Sequence, residues 1–121
     1  MAKRRVLITG AAGNIGTKLS SAFADKYDLI LLDRKKIDAS TVICADLSKY
    51  DKNWVKYFDN VSVVIHLAAN PSERARWQEL IRDNIDSVLN VCHACIKNKV
   101  VRLIFASSCT PWEDTETKTS I

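Results

Sequence analysis

Residues 5–16 read Arg5-Val6-Leu7-Ile8-Thr9-Gly10-Ala11-Ala12-Gly13-Asn14-Ile15-Gly16. A short apolar run stops at a glycine, and two more glycines follow at three-residue steps. The run reads as a buried strand over 5–9. Beyond it, Ile15, Leu19, Ala22 and Phe23 recur at helical spacing and predict an amphipathic helix over 14–26. The three glycines of the chain all lie in the turn between them. Gly10 suits a tight turn, Gly13 lets the backbone meet a diphosphate with no Cβ in the way, and Gly16 lets the helix pack close. The helix start then offers unpaired N–H groups and partial positive charge to an anion.

The same alternation continues along the chain. Apolar runs predict strands over 28–33, 41–45, 61–67 and 101–106. Trp54, Val55 and Phe58 give one face of a short helix over 52–58, and Leu80, Ile81, Ile85, Val88, Leu89, Val91, Cys92, Cys95 and Ile96 give a long one over 76–98. The strands are continuous apolar runs, as a sheet covered on both faces requires. Strand and helix in alternation imply right-handed crossovers and a parallel sheet.

Asp33 ends the second predicted strand, 17 residues after Gly16. An acid at that place accepts from the hydroxyls of an adenosine ribose and repels a 2′-phosphate, which favours NAD over NADP. Arg34 and Lys35 follow directly and offset part of that repulsion.

Composition narrows the function further. At 121 residues the chain is one domain or part of one, with 47% hydrophobic and 26% charged residues, the values of a folded globular chain. The net charge of +4 is spread along the sequence and aromatics are only 7%, so no nucleic-acid stripe is expected. No apolar run approaches the ~20 residues of a membrane span. The apolar stretch Val6-Leu7-Ile8 is too short for a secretory signal, so a cytoplasmic setting is expected. Cys92-His93-Ala94-Cys95 has redox spacing but falls inside a predicted helix and has no second Cys/His pair, so it reads as packing, with no metal site expected.

The loop Thr9-Gly10-Ala11-Ala12-Gly13-Asn14-Ile15-Gly16 resembles that of the extended short-chain dehydrogenase/reductases, the NAD-dependent epimerase/dehydratase family. Further segments resemble the family in order and spacing: Asp33-Arg34 its ribose-binding acid, Asp46-Leu47 the pair beside the adenine, and His66-Leu67-Ala68-Ala69 the segment lining the cofactor. Asn84-Ile85-Asp86-Ser87-Val88-Leu89-Asn90 resembles the family's Asn-x-x-Gly-Thr-x-Asn helix, with Ser87 and Val88 in place of Gly-Thr. Phe105-Ala106-Ser107-Ser108 resembles the end of its fifth strand, with Ser108 at the active-site serine position. The resemblance covers residues 5–108, and within the family Asn70-Pro71-Ser72 and Trp77-Gln78-Glu79 look most like uronate dehydrogenases and their sugar-oxidising relatives. It implies a doubly wound (Rossmann) α/β sheet, here five strands in order 3-2-1-4-5 and incomplete. It also implies NAD contacts from Gly10, Gly13, Asn14, Ile15, Gly16, Asp33, Arg34, Asp46, Leu47, Leu67, Ala68, Ala69, Asn84, Ala106 and Ser107. By the same resemblance Ser108 would be the catalytic-site serine that orients a sugar-type substrate, His66 would be positional, and a homodimer is what the family implies.

The family's chemistry also needs a tyrosine with a lysine four residues on. Tyr27, Tyr50 and Tyr57 are followed at that distance by Leu31, Trp54 and Val61, so the chain carries no Tyr-x-x-x-Lys. It is therefore expected to be inactive alone, with a bare apolar face where a further helix would pack. A non-catalytic NAD-binding or protein-interaction module is the alternative, and a nonfunctional product a third reading. Residues 109–121 are polar and lack apolar periodicity. Permitted codons for residues 111–121, read from the third base, spell a run opening Met-Gly-Gly-Tyr that resembles uronate-dehydrogenase-like members. The expectation is a 1–108 NAD-binding domain and a tail in a shifted frame, with a genuine short product or a fragment as the other explanation.

Overall fold

The computed structural model describes residues 2–37 and 41–107. Five parallel strands form one sheet in the order β3-β2-β1-β4-β5. They are β1 (Arg5–Thr9), β2 (Asp28–Asp33), β3 (Ile43–Cys44), β4 (Val63–His66) and β5 (Arg102–Phe105). The order reverses at β1, which lies between β2 and β4, as the sequence predicts for a doubly wound sheet.

Period-two alternation sends neighbouring residues of β1 to opposite layers. Leu7 joins Leu32, Val64, Trp54, Phe58, Val91, Ala94 and Cys95 on one face. Val6 and Ile8 join Ala11 and Ile65 on the other, under Leu19 and Phe23 of helix α1 (Asn14–Phe23). Helix α2 (Lys52–Val55) is started by Asp51, whose Oδ1 accepts from the Asn53 N–H at 2.8 Å, and it tightens into a 3₁₀ turn at Lys56–Phe58. Leu7, Phe58, Leu32 and Val64 are fully buried, and each contributes roughly 1.5–3 kcal/mol by leaving water.

The elements differ from the sequence reading mainly at their ends. Helix α1 stops at Phe23, where the N–H groups of Lys26 and Tyr27 both turn back onto the Phe23 carbonyl at 3.0 Å. The third strand shrinks to two residues because only Leu32 and Asp33 of β2 face it. The long helix is continuous but not uniform. It runs through α3 (Trp77–Leu80), a π-helical turn (Ile81–Asp86) and α4 (Ser87–Lys97). The wide turn shifts the helix face, and Asp83 within it and Ser87 just after it are buried.

Helix α4 lays Val91, Ala94 and Cys95 on the sheet, while Ile85 in the π turn and Leu89 and Ile96 of α4 are exposed. Strand β5 is an edge strand, and Ile104 and Phe105 stand half exposed on it. Among the described residues this flank is therefore apolar and exposed. Cys95 is buried, and burial foremost, with Cys92 beside it, pushes its thiol up to about 11. It behaves as a small core residue. Among the described residues no helix is long and apolar enough to cross a membrane.

Candidate functional site

The strands deliver their carboxyl ends to one cavity of about 180 Å³, lined by the turns after β1 to β4 and by the π turn. Gly10, Gly13, Asp33, Arg34, Asp46, Leu47, Leu67, Ala68 and Ala69 all border it. A larger open groove of about 1100 Å³ lies beside the amino-terminal ends of β1 and β2, near Lys3, Arg4 and Arg5. It holds none of the motif residues, so the smaller cavity is the candidate site.

The glycine turn is built by backbone sterics. Gly10 has φ of +66°, and a Cβ there would stand 2.8 Å from the Ala68 nitrogen. A Cβ on Gly16 would collide with the Gly10 carbonyl and stand 2.7 Å from the Ala11 Cα. The close approach that Gly16 permits is thus to the turn just past the strand. Gly13 differs, because its φ is −77° and an added Cβ would meet only the Gly10 carbonyl, at 3.3 Å. It borders the cavity and is the N-cap of α1. No side chain caps α1 and no acid lies in its first turn, so its positive end meets no carboxylate of its own. Asn14 and Ile15 are exposed on that first turn, outside the cavity lining, as is buried Gly16.

Asp33 is fixed at the end of β2. Its Oδ2 accepts from the Ala12 N–H at 2.9 Å and its Oδ1 from the Lys35 N–H at 2.8 Å. Each oxygen keeps a lone pair for a ribose hydroxyl. Asp46 folds its own turn: Oδ1 accepts from the Ser48 hydroxyl at 2.6 Å and N–H at 3.1 Å, and these bonds, the hydroxyl first, lower its pKa. Leu47 is buried beside it.

Across the turn, Thr9 and His66 pair directly in adjacent strands. Thr9 Oγ1 accepts from the N–H groups of Leu67 at 3.1 Å and Ala68 at 3.2 Å. The same hydroxyl shares a hydrogen bond with His66 Nδ1, 2.7 Å away. The other ring nitrogen, Nε2, is buried without a partner among the described residues. Burial lowers the His66 pKa to about 4. With 1% exposure His66 is closed off from the cavity, and it pairs with the hydroxyl that holds the Leu67 and Ala68 backbone.

Asn84 works at the rim rather than in the cavity lining. Its Oδ1 accepts from the Asn70 N–H at 2.7 Å and its Nδ2 donates to the Asn70 carbonyl at 3.1 Å. It clamps the loop after β4 to the π turn. Ala106 and Ser107 follow β5 and are exposed; the Ala106 N–H donates to the His66 carbonyl at 3.2 Å. Ser108 and the 109–121 tail lie outside the described residues. The structure adds Ala45, Asp83 and Ser87 to the lining. No metal-holding cluster occurs among the described residues.

A parallel sheet with this glycine turn, a fixed acid ending β2 and an uncapped helix start define a dinucleotide-binding fold of the dehydrogenase and epimerase class. The sequence profile of the NAD dependent epimerase/dehydratase family matches residues 6–120, and the chain belongs to that family. It is 35% identical over 113 residues to the NAD-dependent glucose-6-phosphate dehydrogenase of Haloferax volcanii, covering 85% of this chain and 42% of that protein. It is 33% identical to the uronate dehydrogenase of Pseudomonas putida, covering 86% of this chain and 40% of that one. Among solved structures, a mutant of Agrobacterium tumefaciens uronate dehydrogenase complexed with NAD superposes with a TM-score of 0.75 at 27% identity, over 88% of this chain and 42% of that one. MoeE5 in complex with UDP-glucuronic acid and NAD gives 0.76 at 33% identity, over 86% and 36%. The chain thus spans about two fifths of the length of these curated relatives.

Proposed function

We propose that this chain is the NAD-binding portion of an oxidoreductase acting on a sugar or uronate, and that by itself it binds cofactor without turning over substrate. The observation that carries the reading is Asp33, held by two backbone N–H groups at the rim of the cavity that Gly10 and Gly13 border. The residues fit the dinucleotide. Gly13 leaves open the space that a Cβ would take, the start of α1 faces the phosphates with no acid in its first turn, and Asp33 receives the ribose hydroxyls. When bound, the nicotinamide supplies a hydride acceptor. The chain's own share is to bind and orient. Proton abstraction from a substrate hydroxyl has no Tyr-x-x-x-Lys to perform it here. The sugar or uronate substrate is inferred from the relatives.

The test is calorimetric titration of the 121-residue chain with NAD, alongside Gly13→Val. Saturable binding by the wild type is expected, with loss of binding in the variant and a native circular dichroism spectrum in both. Absence of binding by the folded wild type, or unchanged affinity in Gly13→Val, overturns the reading. Turnover of an aldose or uronate by this chain alone would overturn its non-catalytic half.

A further inference from the structure

Arg34 directly follows Asp33, where a guanidinium is suited to receive a 2′-phosphate on the adenosine ribose. In the fold that guanidinium is engaged elsewhere. Arg34 Nη1 donates to Asp83 Oδ1 at 3.0 Å. The Asp83 side chain is 6% exposed although charged, and that of Arg34 is 61% exposed. Asp83 is fixed from two other directions, by Arg82 Nε on Oδ1 at 2.9 Å and by Asn70 Nδ2 on Oδ2 at 2.9 Å. These bonds, that of Arg82 foremost, hold its carboxyl well below the usual range, at about 2. Asp83 is therefore an anion throughout the working pH range, and both it and Arg34 border the cavity.

We propose that Asp83 is a cofactor-specificity residue: it draws the Arg34 side chain onto the π-helical turn and so denies a 2′-phosphate its natural cation. The inference rests on the NAD-binding reading above. Asp33 alone is an incomplete filter, because both of its oxygens already accept backbone N–H bonds that offset its charge. With Asp83 in place, a 2′-phosphate meets the Asp33 carboxylate and an arginine already committed. To recruit that arginine it must leave a buried carboxylate one cation short, which is costly.

The experiment measures dissociation constants for NAD and NADP by calorimetry on the 121-residue chain and its variants. Asp83→Asn is expected to shift the NADP-to-NAD affinity ratio about tenfold toward NADP, the scale of one bond to a charged group. The double variant Asp83→Asn with Arg34→Gln is expected to return to the wild-type ratio, since the gain needs the released guanidinium. An unchanged ratio in Asp83→Asn overturns the proposal. So does a gain that survives in the double variant, which would be a bare charge effect. Arg34→Gln alone changes an exposed side chain and tests the same point if Asp83→Asn does not fold. Its affinity ratio is expected to stay at the wild-type value, and a selective loss of NADP affinity would show the guanidinium already serving the phosphate. Failure of the wild type to bind NAD would instead overturn the cofactor reading, and this inference with it.

Discussion

β1 and β5 are short apolar strands of the same parallel sheet, written in similar residues. Leu7 and Ile8 of β1 are fully buried, whereas Ile104 and Phe105 of β5 are 47% and 51% exposed. β1 has a strand on each side and a helical layer on each face, while among the described residues β5 pairs only with β4. Helix α4 repeats the contrast within one element, burying Val91 and Ala94 and exposing Leu89 and Ile96. An apolar run thus states that a strand suits burial, and not how many layers cover it. The difference also separates two kinds of surface in this molecule. The carboxyl ends of β1 and β2 form a polar, hydrogen-bonded rim, and the β5 flank is an apolar, half-open edge of the kind that associates.

The contrast is broken most directly by matched truncations. Phe58→Ala removes a fully buried ring and is expected to cost about 3–5 kcal/mol, whereas Phe105→Ala on the flank is expected to cost under about 1 kcal/mol. Urea unfolding followed by circular dichroism reads both. Equal costs would mean that β5 is as well covered in solution as the core layer that holds Phe58.

A smaller effect sharpens the same comparison at the β4 boundary. His66 titrates near 4 in the fold against 6.5 in the unfolded chain. The unfolded state therefore binds more protons between these values, and stability is full above pH 6.5 and lost as pH falls toward 4. The loss is on the order of 3 kcal/mol. Thermal unfolding across that window should show it, and His66→Gln should flatten the slope. A slope retained in His66→Gln would assign the dependence to other groups. The smallest effect lies at the amino-terminal ends of the strands. Arg5 Nε meets Asp28 Oδ2 at 3.1 Å with both side chains well exposed, so Asp28→Asn should change stability by less than about 1 kcal/mol, and less still in high salt.

Much of this arrangement was legible in local sequence. The Gly10–Gly16 spacing, the position of Asp33 and the apolar runs are short-range signals, alternation implied a parallel sheet, and the strand order came with the family resemblance. Asp83 and Ser87 were not legible. A charged residue within a helical pattern reads as solvated, and the partners that bury Asp83, Asn70 and Arg34, are 13 and 49 residues away. The π-helical turn was hidden as well, because the apolar spacing of the long helix reads through it without a break. Asn84 was named as a cofactor contact and is found clamping Asn70, a role that depends on where the loop after β4 travels.

The Thr9 hydroxyl has a consequence for the order of events during folding. The N–H groups it accepts come from 58 and 59 residues further along the chain. The glycine turn is encoded within a dozen residues, yet the bonds that set its far wall form only when β4 docks against β1. During synthesis the glycine turn waits through all of β2, β3 and α2 for that partner. The site is thus completed by the long-range closure of the sheet, a slow kind of contact to make, and matures with the fold rather than ahead of it.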